Sequence, residues 1–304
     1  MYTIRQAAAR SGVSIPLLRA WERRYAIVQP ERTPAGYRLY DEPAIERLRA
    51  MRLLVDGGWS PREASARVSA ADAVELAAIE RELAPLPDAD GPFAELVAAF
   101  MDGALAMDGA AVDRALDRAF AAGRFETVAD GMLIPALHRL GQAWAAGDLS
   151  VAAEHAASAA VMRRLGLAYE AAGDRPGGAT VLIGLPAGSR HETAAFAVAV
   201  AARRAGLDPV YLGADVPAES WLEAVRIRDA RAVVLGVVTA ADIDPATATL
   251  RLLARQAPRV LRTAGGRHAG SVQLPGVVIL PEGIEGAVAA LMRALGRVGS
   301  VDPE

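Results

Sequence analysis

The sequence predicts a multidomain protein of mixed α and α/β class, in which a small helical module, a helix bundle and an α/β domain follow one another. Its length of 304 residues exceeds what one small hydrophobic core organises. Residues 93–172 follow a helical pattern with few breakers, and from residue 178 onward short apolar runs alternate with helical ones. That alternation is typical of a parallel sheet with helical crossovers.

The composition excludes several classes of protein. No apolar run approaches the length of a membrane span, so we expect no membrane partner. Residues 1–6 do not resemble the start of a signal peptide, and we therefore expect a cytoplasmic protein. The sequence has 0 cysteines, which excludes disulfides, thiolate metal sites and thiol redox sensing.

The charge is distributed unevenly along the chain. The formal net charge is −3, but residues 1–70 contain 12 Arg against 7 acidic residues, whereas the rest contains 21 Arg against 29 acidic residues. A basic module on an acidic body predicts a polyanionic partner for the N-terminal module alone.

The N-terminal residues read as two helices joined by a glycine turn. Thr3 is a candidate N-cap of the first helix, and Ser14 is a candidate N-cap of the second after a turn at Gly12. This order is the helix-turn-helix pattern. The second helix carries three arginines on one side, which can contact phosphates or guanine edges in the major groove: Arg19, Arg23 and Arg24.

A hairpin follows the second helix. Residues 30–40 are rich in proline and glycine and predict a wing, with Tyr37 and Arg38 near its second strand. Residues 3–40 resemble the winged helix-turn-helix of the MerR family, and residues 18–25 resemble its cobalamin-dependent photoreceptor branch (CarH/LitR-like) in particular. The resemblance implies that residues 1–72 bind double-stranded DNA, with Tyr37 and Arg38 among the contacting residues.

The middle of the chain predicts a four-helix bundle. Residues 84–92 contain three prolines and read as part of a linker over 73–92. Helices are predicted at 93–107, 109–122, 124–145 and 150–172, within a bundle over 93–175.

One stretch of the bundle carries a motif. Trp144 ends one predicted helix, a Gly-Asp turn follows, and Glu154 and His155 lie on the next helix. The residues alone fit equally well a core tryptophan with a surface Glu-His pair. The spacing resembles the helical cap of the photoreceptor branch, which implies that Trp144 covers the upper face of a corrin and that Glu154 and His155 hold its adenosyl group. Branch members that exchange ligands in light have histidine directly after the tryptophan, where this chain has Ala145; His138, His155 or water would then take that role.

The C-terminal part predicts a doubly wound parallel sheet over residues 178–299. Strands are predicted at 180–185, 209–212, 232–238, 259–263 and 277–280, and helices at 191–205, 217–228, 245–257 and 284–296. Such sheets bind ligands at the carboxyl ends of their strands, which carry His191, Asp215, Thr239, Gly265 and Gly266. The first strand is not followed by G-x-G-x-x-G, so a dinucleotide site is not favoured.

This part resembles a cobalamin-binding Rossmann-like domain. In that family a D/E-x-H-x-x-G loop supplies the lower axial histidine of cobalt, and this chain has Ser189, His191 and Ala194 at the three defined positions. The Gly265-Gly266 turn, Thr239 in a loose second motif, and Asp215 in Tyr211–Pro217 also resemble the family. The resemblance implies that His191 ligates cobalt and that the cofactor is adenosylcobalamin or another cobalamin form. Ser189 replaces the carboxylate that would bond the imidazole, and Ala194 adds a methyl group beside the nucleotide tail.

The resemblance implies a transcriptional repressor without enzymatic activity. The adenosylcobalamin-bound form would be a homotetramer that holds operator DNA in the dark, and light would break the cobalt–carbon bond and release it. Two alternatives remain open at this point. The C-terminal domain could bind no cobalamin, or another tetrapyrrole, and serve in oligomerisation, or the bundle and sheet could form a corrinoid methyl-carrier module.

Overall fold

The structure of the protein, a computed structural model, describes residues 1–33, 36–56, 61–73, 75, 76, 79, 91–173 and 177–299. The chain divides into two compact units, Met1–Pro85 and Leu86–Glu304. Most of the linker expected over 73–92 lies outside the described residues. Within the described ranges, no helix combines the length and the apolar character that crossing a membrane requires.

The first unit contains helices and a small antiparallel sheet. The helices are α1 (Ile4–Ser11), α2 (Ile15–Tyr25), α3 (Glu42–Asp56) and α4 (Pro61–Ala70). The strands are β1 (Tyr2–Thr3), β2 (Glu31–Arg32) and β3 (Arg38–Tyr40), in the order β1-β3-β2. The helix-turn-helix with a hairpin wing is thereby confirmed.

Local caps explain where the first two helices begin. The Thr3 side chain accepts a hydrogen bond from the backbone N–H of Gln6, and the Ser14 side chain accepts one from Leu17. Gly12 has a φ of 70°, which lets the chain turn sharply between α1 and α2. Leu18 and Trp21 then bury their side chains in the core of this unit.

The bundle of the second unit departs from prediction in its third helix. Its elements are α5 (Ala94–Leu105), α6 (Gly109–Ala122), α7 (Phe125–Val128), a π-helix (Ala129–Leu133), α8 (Ile134–Ala146) and α9 (Val151–Ala171). The single helix predicted at 124–145 is therefore interrupted by a π-helical turn. Pro135 lies in the first turn of α8 and lacks the N–H that would bond back along a regular helix, which favours the wider turn.

The rest of the second unit is a five-stranded parallel sheet with helical crossovers. The strands are β4 (Thr180–Pro186), β5 (Asp208–Val216), β6 (Ala232–Gly236), β7 (Leu261–Gly265) and β8 (Val277–Ile279). The helices are α10 (Thr193–Arg204), α11 (Ala218–Arg228), α12 (Ile243–Gln256) and α13 (Ile284–Gly299). The strand order is β5-β4-β6-β7-β8, and all neighbours are parallel. This confirms the doubly wound sheet.

Two hydrophobic cores cover the two faces of this sheet. Apolar residues of α10 and α13 share one core with the bundle, whereas those of α11 and α12 pack on the opposite face. Since β5 and β6 lie on opposite sides of β4, the direction in which successive strands are added to the sheet reverses at β4. The loops after β4 and β6 therefore leave a crevice at the carboxyl edge. The fold therefore places the predicted cofactor loops at one edge.

Candidate functional site

The loop after β4 presents His191. The Ser189 N–H donates to the carbonyl of Pro186 at 3.1 Å and closes a turn in which Gly188 has a φ of 83°. His191 is exposed and comes two residues before α10 begins. Its imidazole forms no hydrogen bond with the described part of the chain, so its ring nitrogens are available to a ligand from outside the protein.

Strand β5 contacts this loop on both sides of His191. The Gly188 N–H donates to Asp215 Oδ1 at 2.6 Å, and the Asp215 N–H donates to the carbonyl of Ser189 at 2.9 Å. Beyond His191, the Tyr211 hydroxyl donates to Glu192 Oε2 at 2.8 Å. Burial and then the hydrogen bond to Glu192 raise the pKa of Tyr211 well above its ordinary value, so this hydroxyl remains a donor.

Ser189 stands where the cobalamin-binding family has a carboxylate. The residue is 2% exposed, and its Oγ has no hydrogen-bond partner. The bond from the imidazole to Ser189 that the sequence allows is therefore not formed in this structure. An unpartnered buried hydroxyl is unfavourable, which makes this position a place where a ligand would supply a partner.

The ends of β6 and β7 approach each other closely. The Val237 N–H donates to the carbonyl of Gly265 at 2.8 Å, and the His268 N–H donates to the carbonyl of Val237 at 3.0 Å. Gly266 has a φ of 103°, and a Cβ there would lie 2.7 Å from the Val237 carbonyl oxygen. Only glycine fits this turn, which leaves bare backbone at the predicted slot for the nucleotide tail.

Asp242 shapes the loop after β6 and was missed in the sequence analysis. Its side chain is 3% exposed, and Oδ2 accepts hydrogen bonds from the N–H groups of Val238 at 2.9 Å and Thr239 at 2.8 Å. Thr239 in turn caps the following 3-10 turn. An acidic residue three positions after a threonine is the sequence signature of a capping box, so the signal was present.

The predicted cap residues lie where α8 ends and α9 begins. Trp144 is 52% exposed in the last turn of α8, so it is not a core residue. Glu154 lies in the first turn of α9, where its Oε2 is 2.5 Å from His155 Nδ1 and its Oε1 accepts from Ser158 Oγ at 2.6 Å. The tryptophan and the Glu-His pair thus lie at the same end of the bundle.

His138 joins the bundle to the turn after β7. Its Nδ1 is 3.3 Å from Arg267 Nη2, and its Nε2 is 3.0 Å from Gln142 Nε2. Burial and then the charge of Arg267 lower the pKa of His138 to about 4. The guanidinium of Arg267 and the amide nitrogen of Gln142 both donate, and a neutral imidazole has one acceptor nitrogen, so only one of these two contacts is a hydrogen bond between the named atoms. Arg267 directly follows Gly266, so this contact connects the helix of Trp144 with the glycine turn after β7.

A second contact joins the bundle to α13. Asp130, in the π-helix, accepts hydrogen bonds from the N–H groups of Ile284 at 2.5 Å and Glu285 at 3.1 Å. These donors lie in the first turn of α13, where a carboxylate is favourable. Sequence patterns gave no sign of this cap, since it crosses 154 residues of chain.

The first unit carries the predicted nucleic-acid surface. Arg19, Arg23 and Arg24 are all exposed on α2, and Tyr37 at the wing is 73% exposed. Three cationic side chains on the second helix of a helix-turn-helix can contact the phosphates and base edges of duplex DNA.

Glu22 ties the wing to the same helix. Arg38 Nε donates to Glu22 Oε1 at 2.9 Å, and the Tyr40 hydroxyl donates to Glu22 Oε2 at 3.3 Å. The hydrogen bond to Glu22 raises the pKa of Arg38, and burial raises that of Tyr40 to about 12. The charge of Arg38 is therefore partly matched inside the protein, and Glu22 is a further residue of this surface that the sequence analysis did not identify.

The residues at the sheet edge fit a corrinoid cofactor. The exposed imidazole of His191 could serve as an axial ligand, the orphaned Ser189 hydroxyl as a polar partner, and the glycine turn at Gly266 as room for a tail. In the described residues, no group of three or more His, Asp or Glu side chains could hold a metal ion.

Comparisons with known proteins cover both units. Residues 2–70 match the MerR HTH family of regulatory proteins, and residues 96–169 match a B12 binding domain. The HTH-type transcriptional repressor CarH of Myxococcus xanthus is 33% identical over 276 residues, which cover 90% of this chain and 91% of CarH. The repressor CarA of the same organism is 34% identical over 217 residues, which cover 71% of this chain and 69% of CarA.

A solved structure shares the fold of the second unit. The monomethylamine corrinoid protein of Methanosarcina barkeri superposes with a TM-score of 0.54 at 15% identity, covering 66% of this chain and 98% of that one.

From the family matches and the two repressors, the chain belongs to the MerR family of HTH-type transcriptional regulators, in the group that carries a B12-binding domain.

Proposed function

We propose that this chain is a light-responsive repressor that binds operator DNA as an oligomer and uses adenosylcobalamin as its cofactor. The observation that carries the proposal is an exposed His191, without a hydrogen-bond partner in the described part of the chain, at the switch point of a sheet. The same chain bears a MerR DNA-binding module. In this proposal, residues 1–72 bind DNA, 73–92 link, 93–175 cap the cofactor and 178–299 hold it.

The lower side of the cofactor would be held at the sheet edge. His191 would bind the cobalt of the cofactor, and Gly265, Gly266 and Thr239 would contact its nucleotide tail. Asp215 supports the loop of His191 by accepting from Gly188. The Ser189 hydroxyl supplies a buried polar atom beside the same loop.

The upper side would be covered by the end of the bundle. Trp144 offers an exposed aromatic face, and the Glu154–His155 pair offers polar groups at the same end of the bundle. Adenosylcobalamin, when bound, supplies a cobalt–carbon bond that visible light cleaves. Loss of the adenosyl group would remove the surface that Trp144 and the Glu154–His155 pair contact in this proposal, and the end of the bundle could then move.

Assembly would convert this local change into loss of DNA binding. One winged module binds DNA weakly through Arg19, Arg23, Arg24, Tyr37 and Arg38, whereas linked modules gain effective concentration. A homotetramer that forms only with intact cofactor would therefore hold the operator in the dark and release it in light.

A second candidate is a cobalamin-dependent regulator that ignores light. Ala145 favours it, because this position cannot ligate cobalt after photolysis. Both candidates share DNA binding and the role of His191, and they differ in whether illumination changes the assembly.

Size-exclusion chromatography with full-spectrum absorbance tests the proposal on protein reconstituted with adenosylcobalamin, in the dark and after green light. We expect corrin colour to co-elute with a large species that becomes smaller on illumination. Colour without a change in size supports the second candidate, and a colourless protein refutes both. His191→Ala is expected to weaken cofactor retention about tenfold or more, whereas Arg190→Ala, a neighbouring exposed residue of the same loop, is the control. Equal retention by the two variants contradicts the axial role.

A further inference from the structure

The loop of His191 is attached to β5 at two points. On the N-terminal side, Asp215 accepts from the Gly188 N–H at 2.6 Å and donates its own N–H to the carbonyl of Ser189 at 2.9 Å. On the C-terminal side, Tyr211 donates to Glu192 Oε2 at 2.8 Å and reaches the Glu192 carbonyl at 3.3 Å. Between these attachments only Arg190 and His191 remain, and both are exposed.

The loop of His191 lacks the acidic side chain that the cobalamin-binding family has two residues before its histidine. A metal-ligating histidine is normally oriented by a carboxylate or carbonyl on its other ring nitrogen. The residue at the family's acidic position is Ser189, whose Oγ is buried and has no partner. Among the described residues the imidazole has no hydrogen-bond partner, so its orientation depends on how the loop itself is held.

We propose that Tyr211 and Asp215 are positioning residues for His191, which hold the backbone on both sides of the ligand so that its imidazole is presented to cobalt without a carboxylate partner. This inference rests on the proposed axial role of His191. The two residues, here called the β5 anchor, act through the loop and need not touch the cofactor.

The geometry of Tyr211 suits this role. Its ring centroid is 4.6 Å from that of Phe196 on α10, and Phe196 is 5.6 Å from Tyr169 on α9, so the ring is fixed by packing. A fixed ring directs the hydroxyl at Glu192, the residue that follows His191. The α10 helix starts directly after this bond, and its first turn is thereby held against β5.

The backbone of Asp215 supports the same reading. Its φ is 55°, a left-handed conformation that is uncommon for a residue with a side chain. This conformation coincides with the residue's two bonds to the turn at 188–189. With both flanks fixed, His191 retains mainly its side-chain torsions, and the entropy lost on ligation is small.

The test uses full-length protein labelled with ¹⁵N-histidine and loaded with cob(II)alamin. Electron paramagnetic resonance then reports the lower ligand, because ¹⁵N splits the cobalt lines into doublets whereas the ¹⁴N of the cofactor's own base splits them into triplets. We expect doublets for the parent protein. Tyr211→Phe and Asp215→Ala are expected to reduce the doublet signal and to weaken cob(II)alamin affinity about tenfold each, the usual effect of losing an outer partner of a ligand.

Matched controls separate positioning from general damage. Asp215→Asn keeps an acceptor for the Gly188 N–H and is expected to retain the doublets. Tyr169→Phe removes a hydroxyl of the same aromatic group, which bonds the Pro209 carbonyl at 2.7 Å and not the His191 loop. Asp229→Ala removes the side chain of another left-handed aspartate, with a φ of 46°, away from the loop. The Tyr169→Phe and Asp229→Ala variants should both match the parent protein.

The outcomes for the β5 anchor and for the axial role are distinct. Loss of doublets in His191→Ala, with full doublets and unchanged affinity in Tyr211→Phe and Asp215→Ala, overturns the β5 anchor and leaves the axial role intact. Triplets in the parent protein overturn the axial role itself. Equal losses in Tyr169→Phe and Tyr211→Phe also overturn the positioning role, since the effect would then belong to the aromatic packing.

Discussion

Asp130→Ala is expected to loosen the C-terminal helix from the bundle. The carboxylate accepts from Ile284 N–H at 2.5 Å and from Glu285 N–H at 3.1 Å, and these bonds cap α13 from a helix that lies 154 residues earlier in the chain. Alanine removes both acceptors and leaves two N–H groups at the start of α13 without their partner.

The magnitude follows from these contacts. Loss of an N-cap costs about 1 kcal/mol, and loss of a carboxylate at a helix N-terminus costs up to about 1 kcal/mol more. We therefore expect the second unit to lose about 2 kcal/mol of unfolding free energy. If α13 opens locally, its amide protons should exchange roughly 30-fold faster, since each 1.4 kcal/mol is a factor of ten.

Hydrogen–deuterium exchange of peptides from α13, together with urea unfolding, measures both quantities. Asp108→Ala is the matched control, because Asp108 caps its own helix with one bond, accepted from Ala111 N–H at 3.0 Å. This control should cost about 1 kcal/mol and leave exchange in α13 unchanged. Unaltered exchange in α13 of Asp130→Ala would refute the reasoning, because the cap would then contribute nothing to holding that helix.

The remaining predictions concern pH, the glycine turn and the wing. The pKa of His138 is lowered from 6.5 to about 4, so the folded protein favours the neutral ring, and the stabilisation present above pH 6.5 is lost as the pH falls toward 4. After discounting for partial exposure, urea titrations should show a loss on the order of 1 kcal/mol that is absent in His138→Gln; identical pH profiles contradict this. Gly266→Ala should lower cobalamin affinity more than tenfold, because its Cβ meets backbone at 2.7 Å in a turn with a φ of 103°, whereas Gly270→Ala meets nothing within 4 Å and should bind normally in the same absorbance titration. Glu22→Gln should loosen Arg38 of the wing and change operator affinity by about threefold in fluorescence anisotropy, and an unchanged affinity and salt dependence would show that this contact does not shape the DNA surface.

Features that depend on neighbouring residues were predicted well. Thr3 and Ser14 cap α1 and α2, where side-chain oxygens next to helical patterns indicated helix starts. The succession of strands and helices along residues 178–299 followed from the alternation of apolar and helical runs. The placement of His191 in a loop between β4 and α10 followed from the same pattern, because the apolar run ends before His191 and the helical run begins after it.

Other features depend on residues far apart in the sequence. The π-helix in the third helix of the bundle was not predicted, because helical periodicity does not distinguish a wide turn from a regular one. Trp144 could be read as a core residue or as an exposed one, and only packing decided that about half of its surface is exposed. Glu22, paired with Arg38 across 16 residues, carried no local signal of its role.

The sequence by itself determined the class of each domain, because caps, glycine turns and apolar periodicity act between residues a few positions apart, and the resemblance of its loop to the cobalamin-binding family made His191 the candidate ligand. The tertiary structure decided how that ligand is held. The bonds from Tyr211 and Asp215 to the loop of His191, and the burial of Ser189 without a partner, arise only when β4 and β5 pair as neighbours. Side-chain hydrogen bonds act over about 3 Å, so the residues that make them are known only once the fold has brought distant segments together.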